Sequence, residues 1–243
     1  MGLAAYLRRE YAMALQELRP SATQGNAVAQ WYVGDMYQKG QGVSENNAEA
    51  VKWYRKAAAQ GNQLGQFSLG AMYDKGWGVA QDHAEAAKWY RKAAEQGQEL
   101  AQLNLGIMYY VGQGVQQDYS SSVTWFRKAA AHGSAAAQRN LGVTHLEGRG
   151  VLQDYAKAAK WFLKAAEQGD ALAQNSLGVM YGEGRGVPQD HVKTHMWFNL
   201  AAAQEDAEAA NNREVAASKL TPAQISKAQR LAREWMEKHG KGE

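Results

Sequence analysis

Glycine and tryptophan recur along this chain at a single interval. Gly34, Gly70, Gly106, Gly142 and Gly178 stand 36 residues apart, and so do Trp53, Trp89, Trp125, Trp161 and Trp197. Other columns keep the register: Gln30, Gln66, Gln102, Gln138 and Gln174; Gly42, Gly78, Gly114, Gly150 and Gly186; Val43, Val79, Val115, Val151 and Val187. No insertion breaks the spacing. A fixed period of this length marks a repeat array, in which each unit buries its apolar surface against its neighbours. Five full units run 25–60, 61–96, 97–132, 133–168 and 169–204. Residues 1–24 form a partial unit before them, since Ala12–Gly25 (AMALQELRPSATQG) mirrors Ala48–Gly61 (AEAVKWYRKAAAQG). Residues 205–243 diverge from the period and read as C-terminal capping helices.

Within one unit the pattern is helical twice over. Ala27–Lys39 (AVAQWYVGDMYQK) places Gln30, Val33, Gly34 and Tyr37 at the i, i+3, i+4, i+7 spacing of one helix face, and Gly40 follows as a left-handed C-cap. This is helix A. Asn47–Gln60 is alanine-rich, carries Ala50, Trp53, Tyr54 and Ala57 on one face, and ends at Gly61. This is helix B. A glycine inside a helix costs about 1 kcal/mol relative to alanine. Its recurrence at the Gly34 column therefore implies a steric demand, expected here to be close approach to the Trp53-type side chain of helix B. At the C-terminal end, Thr221, Pro222 and Gln224 make a capping box ahead of a helix of about 222–238, with Ile225, Ala228, Leu231, Ala232 and Trp235 on one side.

Composition narrows the function. The 243 residues include no cysteine, which excludes a disulfide framework, zinc–thiolate and iron–sulfur sites, and a cysteine nucleophile. The net charge of +3 falls short of the field of a dedicated nucleic-acid binder, and no apolar run is long enough to span a bilayer.

The 36-residue pattern AxxxLGxxYxxGxGVxxDxxxAxxWxxKAAxQG, clearest in residues 97–132 and 169–187, resembles the Sel1-like repeat family, relatives of tetratricopeptide repeats. The resemblance covers about 1–204 and implies an all-α, right-handed α-α superhelical solenoid acting as an adaptor, often in exported bacterial proteins. Local departures are Gly65 in an alanine column, His145 in a tyrosine column, and Glu17 where a tryptophan would stand.

Repeated columns report packing, and divergent ones report what differs between units. On helix A the divergent positions are those of residues 28, 31, 35, 38 and 39. By resemblance to tetratricopeptide repeats they line the concave surface. Read down the stack they give Val28, Trp31 and Asp35; Leu64, Phe67, Ala71 and Asp74; Leu100, Leu103, Ile107 and Tyr110; Arg139, Val143, Leu146 and Glu147; then Asn175, Val179 and Glu183. The first three units present an apolar stripe suited to an amphipathic or extended peptide. The same side chains could instead pack between adjacent A helices. The candidate partner-binding residues are Trp31, Asp35, Phe67, Leu103, Ile107, Tyr110, Arg139 and Asn175.

Chemistry has less support. His191 and His195 are four apart beside Asp190, a spacing that could place two ligands on one metal, but no HExxH and no third ligand accompany them. The Gly-x-Gly segments follow a helix in every unit, so they are turns, not phosphate cradles. The pairs Arg55-Lys56, Arg91-Lys92 and Arg127-Lys128 make a basic ladder on helix B that reads as a solvated outer face. No S-x-x-K, K-T-G or G-x-S-x-G motif occurs. The reading is a non-enzymatic scaffold, without metal or cofactor, that binds a protein or peptide. The alternative is a cell-envelope factor binding peptidoglycan or another glycan. Neither nucleic acid nor a membrane span is expected, and a monomer is. The chain opens on a helix without a signal-peptide pattern, its first unit is incomplete, and the resemblance favours a periplasmic or secreted setting, with the cytoplasm as alternative.

Overall fold

The computed structural model describes residues 2–239. Met1 and residues 240–243, which the sequence reading places in the terminal segments 1–24 and 205–243, lie outside the described residues. Fourteen helices and no strand are found among the described residues. They fall into two compact units, residues 2–118 and 119–239.

The first unit holds α1 (Gly2–Leu7), α2 (Tyr11–Thr23), α3 (Ala27–Lys39), α4 (Asn47–Ala59), α5 (Gln63–Lys75), α6 (His83–Glu95) and α7 (Glu99–Val111). The second holds α8 (Tyr119–Ala131), α9 (Ala135–Glu147), α10 (Tyr155–Ala166), α11 (Ala171–Glu183), α12 (His191–Ala202), α13 (Ala207–Ala217) and α14 (Pro222–His239). Inside each unit the helices pack on the next in sequence as far as α13, α14 packs back on α12, and the tightest pairs are the A–B hairpins α3–α4, α5–α6, α9–α10 and α11–α12.

Local chemistry fixes the boundaries. Asn26, Asn46, Asn62, Asp154, Asp170 and Asp190 each accept an N–H of the first helical turn on a side-chain oxygen, satisfying donors that would otherwise be orphaned. The A helices end at a left-handed glycine, as at Gly40 with φ 66°. The Thr221–Gln224 capping box forms, with the Gln224 Oε1 accepting from the Thr221 N–H at 2.9 Å and the Gln224 N–H donating to Thr221 Oγ1 at 3.3 Å.

The repeated glutamines are also explained. The Gln30 Nε2 donates to the Ala22 carbonyl at 3.0 Å, and its Oε1 accepts from the Gln60 Nε2 at 2.7 Å. The same relay recurs through Gln66 and Gln96 and, in the second unit, through Gln174 and Gln204. Each ties the end of one B helix to the next A helix and that hairpin's own end. In these hairpins the buried glutamine has its polar atoms paired, as a buried amide requires, whereas the Gln102 Oε1 has no partner, since His132 stands in the column of Gln60 and Gln96.

One expectation is corrected. The mid-helix glycines do not accommodate the tryptophan. They accommodate the aromatic residue after it. A Cβ on Gly34 would lie 2.7 Å from the Tyr54 ring, on Gly70 2.8 Å from Tyr90, on Gly142 2.6 Å from Phe162, and on Gly178 2.5 Å from Phe198. These rings are the interior wedges: Tyr54, Tyr90 and Phe162 are at most 2% exposed. Each contributes about 2–3 kcal/mol by the area it removes from water, which offsets the glycine's helical cost. Trp53 is buried at the edge of this core, while Trp89, Trp125 and Trp161 are half-buried. They are roofed by the lysine one turn on. The ammonium groups of Lys56, Lys92, Lys128 and Lys164 stand 4.4, 4.1, 4.1 and 4.7 Å from the four indole centroids. Half of the basic ladder is thus spent on the tryptophans. Trp197 has Leu200 one turn on, and the α14 indole of Trp235 packs edge-on against it at 5.7 Å.

Candidate functional site

The divergent face of the A helices is resolved into two environments. In the first unit, the first-turn residues Val28, Leu64 and Leu100 are 52%, 41% and 48% exposed, and Ile107 is 39% exposed. Val28, Leu64 and Leu100 hold equivalent positions on α3, α5 and α7 and form an apolar row, with Ile107 two turns further along α7. Behind them lies a half-buried tier. The Trp31 Nε1 donates to the Ser68 Oγ at 3.0 Å, which ties α3 to α5, and the Trp31 ring meets Tyr32 edge-on at 4.7 Å. Phe67 is half-buried with its ring 5.7 Å from Tyr90. Leu103 is buried, and Tyr110 is half-buried. Exposed aliphatic side chains and packed aromatic ones therefore lie at different depths of one face.

Asp35 belongs to the packing. It is buried, accepts from the Tyr6 hydroxyl at 2.5 Å, and pairs with Lys39 at 2.9 Å. Burial, then the hydrogen bond to this carboxylate, raises the Tyr6 phenol above its ordinary range, so it stays a donor. In the second unit Arg139 donates from Nε to the Asp170 Oδ2 at 3.1 Å, while the Asp170 Oδ1 caps α11. Asn175 is buried and its Oδ1 accepts from the Asn212 Nδ2 at 3.2 Å.

Two features escaped the sequence reading. Trp77, in the loop after α5, is 48% exposed. In later units the corresponding residue is engaged: the Gln113 Nε2 lies 2.9 Å from the His83 Nε2, and the Arg149 and Arg185 guanidinium groups lie 5.5 and 6.0 Å from the rings of Tyr119 and Tyr155. The second is a cleft of about 180 Å³ in the second unit, lined by residues of α11, α12 and α13 together with Lys219. Its signal in the sequence is Gly182, which stands where the other units carry Gln38, Asp74, Tyr110 and Leu146. His191 lines this cleft, while His195 is buried with its Nδ1 unpartnered. No group of three or more His, Asp or Glu side chains able to hold a metal ion occurs among the described residues. No helix among them is long and apolar enough to cross a membrane.

A family model described as Sel1 repeat matches residues 27–62, 63–98, 100–134, 135–170 and 171–206. A Sel1 repeat protein from Oxalobacter formigenes is 37% identical, with 83% of each chain covered and a TM-score of 0.79. A putative Sel1 repeat protein from Klebsiella pneumoniae is 21% identical over 83% of this chain and 98% of that one, with a TM-score of 0.51, a likeness of fold alone. No curated protein matches the sequence.

Proposed function

The chain belongs to the Sel1 repeat family, and from that premise we propose that it is a non-enzymatic scaffold holding a protein or peptide partner on the A-helix face of its first unit. Proteins built of these repeats generally act as scaffolds for protein–protein interaction. The observation that carries the finer reading is the row of Val28, Leu64 and Leu100, three aliphatic side chains left about half exposed on successive A helices of a rigid stack. Contiguous apolar surface of this kind costs free energy in water unless a partner covers it. The row is backed by Trp31 and Phe67, already ordered, so little side-chain entropy is lost on binding. Lys39 and Lys75, exposed at the far ends of α3 and α5, supply a polar rim. An amphipathic helix or extended segment with aliphatic anchors fits this face, and the mechanism is complementarity on a preorganised frame.

The test uses peptides selected by phage display against the intact protein. Leu64→Glu with Leu100→Glu should abolish their binding and leave the far-UV helical signal and melting temperature unchanged, because both positions are exposed. Peptides that bind the double variant as well as the parent would reject this face.

A further inference from the structure

The cleft in the second unit is made by loss of bulk at two positions. Gly182 on α11 replaces the larger residues of its column, and Ala216 on α13 stands 36 residues after Met180 in a column that holds Met36, Met72, Met108 and Thr144 elsewhere. Phe198 lies beneath, one of the wedges of the core and 5% exposed. Val179 and Val215 form the apolar walls at 37% and 61% exposure. The volume of about 180 Å³ is close to that of a cavity, about 150 Å³, known to take one benzene ring, so it suits a single aliphatic side chain and not a helix.

The polar lining is asymmetric. Glu183 is engaged by Arg185, with Nε to Oε2 at 3.0 Å, and Thr194 donates to the Asp190 carbonyl at 2.9 Å. The Asn212 Nδ2 is given to Asn175, which leaves its Oδ1 as an acceptor. The Lys219 ammonium and the His191 ring have no side-chain partner among the described residues. The uncommitted groups are therefore a fixed cation, an imidazole and one amide oxygen, around an apolar slot. A neutral aliphatic side chain would use only the slot. A free carboxylate beside such a side chain uses the cation as well, and a peptide N–H one residue back has Asn212 Oδ1 to donate to.

We propose that this cleft binds the C-terminal residue of a peptide partner, with an aliphatic side chain against Val179, Phe198 and Val215 and the terminal carboxylate on Lys219 and His191. A charge-assisted carboxylate contact fixes the chain end and the slot reads its side chain. This site does not rest on the apolar row of the first unit, and either can fail alone.

Fluorescence anisotropy of a labelled Gly/Ser peptide ending in leucine, titrated with the full chain, tests it. Amidating the terminal carboxylate should weaken binding about tenfold or more, and Lys219→Gln should have a similar effect. Gly182→Leu should abolish binding by filling the slot. A Cβ there meets Thr194 at an ordinary 3.4 Å, and leucine is native to the column at Leu146, so this variant keeps the fold. Circular dichroism checks that it does. Equal affinity for the amidated peptide, unchanged binding by a folded Gly182→Leu variant, or competition by isovalerate as effective as the unlabelled peptide would each overturn the assignment. The Leu64→Glu, Leu100→Glu variant should bind this peptide normally.

Discussion

At position 142 an added methyl group would stand 2.6 Å from Cδ1 and Cε1 of Phe162, inside the contact distance that real side chains tolerate. The ring is fully buried and cannot swing aside without displacing its neighbours. Two effects oppose each other in Gly142→Ala. Helix propensity favours alanine by about 1 kcal/mol. Overpacking a filled core costs about 1–3 kcal/mol. Because the clash is with a ring wedged between two helices and not with the end of a flexible chain, overpacking wins, and a net loss of up to about 2 kcal/mol is expected. Gly182→Ala meets only ordinary contacts and should gain about 0.5–1 kcal/mol. Urea unfolding followed by circular dichroism checks both signs. Two stabilised variants would show that the wedge is looser than its contacts imply.

The helices themselves were legible in the sequence, because each boundary is written in short-range chemistry: an Asn or Asp whose side chain must accept the first-turn N–H, and a glycine that must turn left. The predicted helix A of Ala27–Lys39 forms with those bounds, and helix B ends at Ala59, one residue early. The wedge was not legible. Tryptophan is invariant across its column, whereas the next position alternates between Tyr54, Tyr90, Phe126, Phe162 and Phe198, so identity pointed to the wrong neighbour. The site was legible in face but not in depth, since a helical wheel has no axial coordinate and cannot separate exposed first-turn residues such as Leu64 from Asp35 two turns on. One departure that the sequence did flag explains a tie between elements. At the tyrosine column, the hydroxyls of Tyr73 and Tyr109 accept from Arg55 and Arg91 at 3.0 and 2.6 Å. On α9 that column holds His145, buried, with its Nδ1 unpartnered, and Arg127 on α8 occupies the arginine column. Desolvation holds the His145 imidazole below its ordinary pKa, aided by Lys157, and burial does the same to His195. Above about pH 6.5 the folded and unfolded chains both carry neutral rings, and the second unit has its full stability. As pH falls through that value the unfolded chain binds protons that the folded chain excludes, so stability drops. His145→Tyr should raise the unfolding midpoint, by about 1 kcal/mol for the restored hydrogen bond, and flatten its fall between pH 7.5 and 5.5. A pH profile identical to the parent's would remove His145 from the account.

Across the whole molecule, the contacts that hold each unit run mostly from one helix to the next in sequence; among second neighbours the α3–α5 and α11–α13 contacts are slight, and only the terminal helix α14 reaches back over α13 to pack firmly on α12. Stability in such an array is a sum of hairpin terms and nearest-neighbour interfaces, so damage spreads by adjacency and decays with separation along the stack. A single two-state core would respond otherwise, because any lost contact would lower the protection of every slow amide by the same amount. Phe162→Ala separates these cases. It removes a fully buried wedge beneath Gly142, at a cost of about 3–5 kcal/mol, while touching no residue of the first unit's apolar row. Native-state hydrogen exchange should show faster exchange throughout α9 and α10, a smaller rise in α11 and α12, and unchanged rates in α3–α5. The exposed residues Val28, Leu64 and Leu100 would then keep their frame while the cleft among α11, α12 and α13 loosened. A uniform rise across all helices would instead mean that the repeats unfold as one body.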